Sequence, residues 1–224
     1  MKKYEITNET HPNNNKLKRI RALKNFSNVK KGDLGGWIES EKNLSQGGDC
    51  WVSGHAKVSG NAMVSGHAKV FGNAEVFGRA VVAVIAKVYG YAKVSGHAEV
   101  YGHAKVSGDA EVFGNAEVYG RAVVSEDAKV YGYAKVYGNA VVYGNAVVYG
   151  DTEVFGREVV AGYAGEVAGY AEEVSGYAEE VSGDEKSKPN DNPEILESLP
   201  EEVTSITISG ITYTKKVTWV TEEK

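Results

Sequence analysis

The chain of 224 residues carries 25 Lys/Arg against 30 Asp/Glu, is 42% hydrophobic, and contains 27 glycines but only 4 prolines. A single cysteine excludes an internal disulfide framework, no apolar run reaches the length of a membrane span, and the opening "MKKYEITNETHPNNN" lacks the apolar core of a signal peptide. These features predict an intracellular, reducing location and one folded core with small terminal appendages. The charge is lopsided: residues 1–150 carry 19 Lys/Arg against 13 Asp/Glu, and residues 151–202 carry 3 against 15. Such a dipole can steer a basic partner to the acidic end.

Residues 1–51 read as an N-terminal hairpin followed by a capping coil. "KYEIT" and "KLKRIRAL" suit two paired strands, with Leu17, Ile20 and Leu23 leaving a short helix as the alternative. Ile38 and Leu44 stand six apart and Val52 follows eight later, which predicts an irregular first coil with Trp37 and Trp51 over the core.

From Val52 to Val160 a valine stands at every sixth position, and an alanine follows nearly every one by four residues. In the resulting unit V-x-G-x-A-x, Ala and Val point to one side of a short strand while the intervening residues point to the other. Glycine supplies the corner, because it adopts positive φ without steric cost. So short a strand cannot fold alone, and the units must wind into a solenoid whose coils bury one another's Val and Ala. Three sides of six residues give an 18-residue coil, which stacks Lys57, Glu75, Lys93, Glu111 and Lys129 in one outward column of alternating charge. A two-sided coil would stack Lys57 on Lys69 instead. The expected fold is therefore an all-β, three-sided parallel β-helix over residues 52–183, six regular coils and a final one.

That final coil changes period. In "AGYAGEVAGYAEEVSGYAEEVSG", residues 161–183, Val167, Val174 and Val181 recur every seven positions. The spacing also resembles a heptad seam, but a glycine in each heptad costs a helix about 1 kcal/mol. A coil widened to seven-residue sides, each holding one extra residue as a bulge would, is the expectation. Residues 184–200 form a polar, Pro-containing linker, and residues 201–224 read as a small β-hairpin around Ser209-Gly210.

The stretch "RIRALKNFSNVKKGDLGGWIESEKNLSQGGDCWV" and the G-N-A and G-H-A units after it resemble a family of bacterial and phage β-helix proteins of the YdcK type, with labels such as putative transferase or polymer-forming. The resemblance spans residues 16–160 and implies a left-handed winding, frequent carriage by phages or prophages, and no established chemistry. It extends the location to the cytoplasm of a bacterial host.

Chemistry-bearing residues are few. His55, His67, His97 and His103 set an acyltransferase hypothesis, with histidine as general base, but all occupy the corner slot after glycine that Asn, Asp, Arg and Tyr fill elsewhere. No inserted loop between Val52 and Val160 shapes a pocket for them. The same histidines do not converge as zinc ligands would, so neither a metal nor a cofactor is expected. Cys50 takes an Ala slot and reads as a small buried hydrophobe. Lys69, Lys87 and Lys105 form one column beside Phe71 and Tyr89; three lysines offer only three phosphate contacts, a thin basis for nucleic-acid binding.

What remains is surface. Above that lysine column Val123, Val141 and Val159 face outward next to Tyr143, and around the corner Tyr101, Tyr119, Tyr137 and Phe155 stack into a ladder. These eight residues are the expected contact with a protein partner or a second copy. The reading is a non-enzymatic scaffold that binds a macromolecule, encoded by a phage or prophage and acting against host defence or in assembly, without membrane contact. Its rivals are the acyltransferase and a nucleic-acid mimic in which Glu158, Glu166, Glu172, Glu173, Glu179 and Glu180 stand in for phosphates.

Overall fold

The computed structural model describes residues 2–162, 166–169, 205–208 and 211–214. It contains two compact units, Met1–Gly183 and Asp184–Lys224. The first is a parallel β-solenoid of about seven turns, with three sheets forming three sides. Among the described residues there is no α-helix, only a 3-10 turn at Glu41–Asn43.

Each side consists mostly of a two-residue strand, an outward residue followed by an inward valine, as in Lys57–Val58. Face A runs from Leu34–Ile38 through Lys57–Val58 to Glu166–Gly169, face B from Met63–Val64 to Glu153–Val154, and face C from Trp51–Val52 to Val159–Gly162. Cα partners lie 18 residues apart, so Lys57 faces Glu75 and Val58 faces Val76. The interior is a stack of Val and Ala, from Val52 to Val148 almost without solvent contact. Corner and strand amides alike donate to the next coil: His55 N to Gly72 O at 2.8 Å, Lys57 N to Ala74 O at 2.9 Å, Ser59 N to Val76 O at 3.0 Å.

The corner glycines have φ between 62° and 76° in the stack from Gly48 to Gly156. A Cβ on Gly102 would lie 3.0 Å from the N and O of Gly120, so the corner needs both the left-handed backbone and the missing side chain. Two residues break the rule, Val84 with φ 64° and Glu126 with φ 60°. Glu126 recovers a contact, its carboxylate accepting from Gly144 N at 3.1 Å. Val84 is β-branched, the type that tolerates this region least, and is 49% exposed.

The N-terminal hairpin is confirmed as strands, not a helix: β1 (Tyr4–His11) pairs antiparallel with β2 (Asn14–Ala22), and β2 with β3 (Leu34–Ile38), which joins face A. This closes the end of the solenoid chemically. The fully buried Lys3 ammonium donates to the carbonyls of Cys50 at 2.8 Å and of Gly47 and Gly48 at 3.3 Å, and the Tyr4 hydroxyl donates to Leu44 O at 2.6 Å. First-coil carbonyls thus find donors without a preceding coil. Cys50 is buried in its Ala slot, as expected, with Lys3 Nζ also 3.2 Å from its sulfur.

The two tryptophans require a correction. Trp37 pairs with Lys57 and Trp51 with Lys69, so both occupy outward positions, while Ile38 and Val52 beside them point into the core. Strand parity decides this, since neighbours in a strand face opposite ways. They are buried from outside: Trp51 packs edge-on against Tyr4 and Phe26, and Trp37 against His11, with the Arg19 guanidinium over its ring.

At the other end the 18-residue step becomes 19. Val142 pairs with Val160, but Val148 pairs with Val167, so the first seven-residue side absorbs its extra residue and stays in the sheet. The rest of the widened coil, the linker at 184–200 and the turn at Ser209-Gly210 lie outside the described residues. In the second unit Ser205–Ile208 pairs antiparallel with Ile211–Thr214, the expected hairpin.

Replacing Val84 by Gly removes a left-handed backbone cost of about 1–2 kcal/mol, partly offset by roughly 0.5–1 kcal/mol of added unfolded-state entropy. The melting temperature of Val84→Gly should rise by about 1–4 °C in a thermal melt. A lower value would show that the Val84 side chain contributes more than its backbone costs.

Candidate interaction surface

Each face presents two outward columns, one before and one after the inward valine. On face C the first column runs Trp51, Lys69, Lys87, Lys105, Val123, Val141, Val159 in unbroken Cα register. Tyr143, in the second column, pairs with Ala161. The three valines and Tyr143 are half-buried, each flanked by its own column. On face B the second column is the aromatic ladder, with ring centroids 5.0 Å apart for Tyr101–Tyr119, 4.8 Å for Tyr119–Tyr137 and 5.3 Å for Tyr137–Phe155, all stacked. That spacing is the coil repeat imposed on the rings. Three residues separate Tyr119 from Val123, so ladder and valine column flank one corner, at Gly120–Arg121.

The ladder is anchored by carboxylates of the adjoining column. The Tyr101 hydroxyl donates to Glu117 at 3.1 Å and the Tyr137 hydroxyl to Glu153 at 2.9 Å. Burial, then the hydrogen bond and charge of Glu117, pushes the Tyr101 phenol up to about 12. Burial also raises Tyr119. Glu153 is lowered, first by the Tyr137 hydroxyl and then by Lys135 at 3.3 Å. Tyr and Glu are thus held in one geometry at the edge of the surface.

Among the described residues there are two further aromatic stacks, Phe71–Tyr89 on face C and Phe113–Tyr131–Tyr149 on face A. The second went unremarked in the sequence, although the same 18-residue spacing exposes it. Also unremarked was a shallow groove of about 720 Å³ along face A, lined by the corner residues Asn73, Tyr91, Asp109, Asp127 and Asn145 and by the Glu75–Val147 column. None of the four repeat histidines borders it.

His55, His67, His97 and His103 are all exposed at corners. His67 has an acidic neighbour, Asp49 at 3.3 Å, with both side chains open to solvent. No group of three metal-capable side chains occurs among the described residues. Of the acidic end, Glu166 lies in a described strand, and Glu172, Glu173, Glu179 and Glu180 lie outside the described residues. Glu158 fills an Ala slot and is 3% exposed, its carboxylate accepting from Phe155 N at 3.2 Å. It faces the interior and cannot present a charge to a partner, which corrects its place among the phosphate mimics.

A three-sided parallel β-solenoid with a capped N-terminal end is the class these features define. A family model described as the YdcK beta solenoid repeat matches residues 134–150, and that match together with the solenoid fits a YdcK-type β-helix protein. No curated protein matches the chain. No helix among the described residues is long and apolar enough to cross a membrane.

Tyr101 has a raised folded-state pKa, so its stabilising contribution is complete below the unfolded value near 10 and is lost as pH rises toward 12. Alkaline unfolding followed by circular dichroism should show this slope, and Tyr101→Phe should make it shallower, with Tyr119 contributing to what remains. An unchanged slope in the variant would place the alkaline transition elsewhere.

Proposed function

We propose that the protein is a rigid, non-catalytic β-solenoid scaffold that binds a macromolecular partner through the surface flanking the corner at Gly120–Arg121. One observation carries the reading: a column that holds lysines over three coils becomes Val123, Val141, Val159 over the next three, facing outward beside Tyr143. Outward charge would serve solubility equally well there, so an apolar column has a use only in contact. The ladder Tyr101, Tyr119, Tyr137, Phe155 adds flat, stacked rings, with the Tyr101 and Tyr137 hydroxyls already oriented, which lowers the entropy lost on binding.

The setting is inferred from the YdcK resemblance: a phage or prophage product working in the cytoplasm of a bacterial host, either inhibiting a host defence or assisting assembly. A protein partner suits the surface better than nucleic acid does, because apolar and aromatic columns offer nothing to a phosphate backbone. The four corner histidines support an acyltransferase less well, since solvent surrounds each of them.

The test is affinity capture from host lysate with tagged wild type beside Val141→Asp. A buried charge at the centre of the patch should cost about 2 kcal/mol, or roughly 30-fold in affinity, and deplete the captured partner accordingly. Wild type that recovers only itself, or a variant of unchanged melting temperature that recovers the same partner, would contradict the reading.

A further inference from the structure

The lysine half of face C is a run of three like charges in coil register. Faces A and B hold charge pairs within the chain, Lys57 with Glu75 at 2.8 Å, Lys93 with Glu111 at 3.1 Å and Lys135 with Glu153 at 3.3 Å, and where Glu99 and Glu117 meet on face B the Tyr101 hydroxyl donates to Glu117. On face C, Lys69, Lys87 and Lys105 are direct Cα partners of one another. None of the three forms an ion pair among the described residues; Lys69 reaches only the Asn28 side chain, at 2.8 Å. The corner beside them adds His67, His103 and the exposed Arg121, in coil register with the exposed apolar Ile85. Like charges in register cost stability, and a chain that alternates Lys and Glu on face A shows that the fold accepts the alternative.

Resting on the partner-binding reading above, we infer that face C takes an acidic polypeptide segment of another protein, laid along the solenoid axis with carboxylates over Lys69, Lys87 and Lys105 and apolar side chains over Val123, Val141 and Val159. The two halves form one column about five coil steps, or roughly 24 Å, long. The stacked rings of Phe71 and Tyr89, 4.9 Å apart, border the lysines and give an acidic side chain's methylenes a surface to lie on. A polypeptide can supply carboxylates and apolar groups in succession. A nucleic acid would use three lysines and Arg121 for about four phosphate contacts and leave the valines against water.

The experiment is fluorescence anisotropy on the full chain with two probes: a labelled twelve-residue peptide bearing four glutamates at one end and Leu and Val at the other, and a twelve-nucleotide oligothymidine. The peptide should bind, lose about tenfold in affinity between 50 and 300 mM salt as its charge contacts are screened, and lose binding in the double variant Lys87→Glu/Lys105→Glu. Val141→Asp should weaken it without changing the salt slope. The double variant should remain folded, and Lys87→Glu alone should raise the melting temperature by about 1–3 °C as the like-charge stack is relieved. Peptide affinity indifferent to the double variant overturns the inference, and if lysate capture still depends on Val141, the partner-binding reading survives it. Tighter, lysine-dependent binding of the oligothymidine overturns it in favour of nucleic acid. Self-association of the chain that the double variant abolishes overturns it in favour of a second copy.

Discussion

Coil rests on coil at the glycine corners, and the rest of the molecule follows from how closely they approach. His55, Asn61 and their equivalents donate backbone hydrogen bonds to the next coil at 2.6–2.8 Å from residues that directly follow left-handed glycines. A Cβ on most of these glycines would meet the backbone of the next corner at 2.7–3.1 Å. The contact favours glycine and holds one backbone conformation, which Val84 and Glu126 adopt as well, so the period must be kept to the residue. It explains why the six-residue unit runs unbroken through the regular coils, and why an added residue near Val167 raises the pairing offset by one without breaking the strand.

A fixed period converts sequence into surface. Residues 18 apart become neighbours at the coil spacing, so a choice at one position is a choice of partner in the next coil. On face A the choice is alternating charge, and the pairs form within the chain. On face C it is lysine on lysine and then valine on valine, with no opposite charge in the column to answer the lysines. The aromatic ladder belongs to the same logic, its rings held parallel because the backbone beneath them is.

The stack was readable from the chain because one spacing governs it: the Lys57–Glu75 register, the Tyr101 ladder and the outward Val123–Val159 column all follow from the number 18. The ends were less so, since no repeat applies there. Trp37 and Trp51 look like core residues by type, yet parity turns them outward to hold the hairpin and the loop bearing Phe26. Lys3 reads as a solvated charge, and only the geometry of an unpaired coil edge reveals it as a donor to three carbonyls. Glu158 departs from the Ala rule by sequence, but its burial depends on how the backbone of Phe155 presents an amide. Val84 was visible as a break in the glycine column and not as a strained residue, because strain is a property of φ.

The proposed function rests on a rigid surface whose side-chain columns are set by coil contact, and it stands or falls with that contact. The most direct measurement is the thermal stability of Gly102→Ala, which adds one Cβ 3.0 Å from the backbone of Gly120 at φ 70° and alters nothing on the outer faces. Left-handed strain and the close approach together predict a loss of about 2 kcal/mol or more, a fall in melting temperature of roughly 4–8 °C. A variant that melts with wild type would contradict the stacking on which every surface column depends.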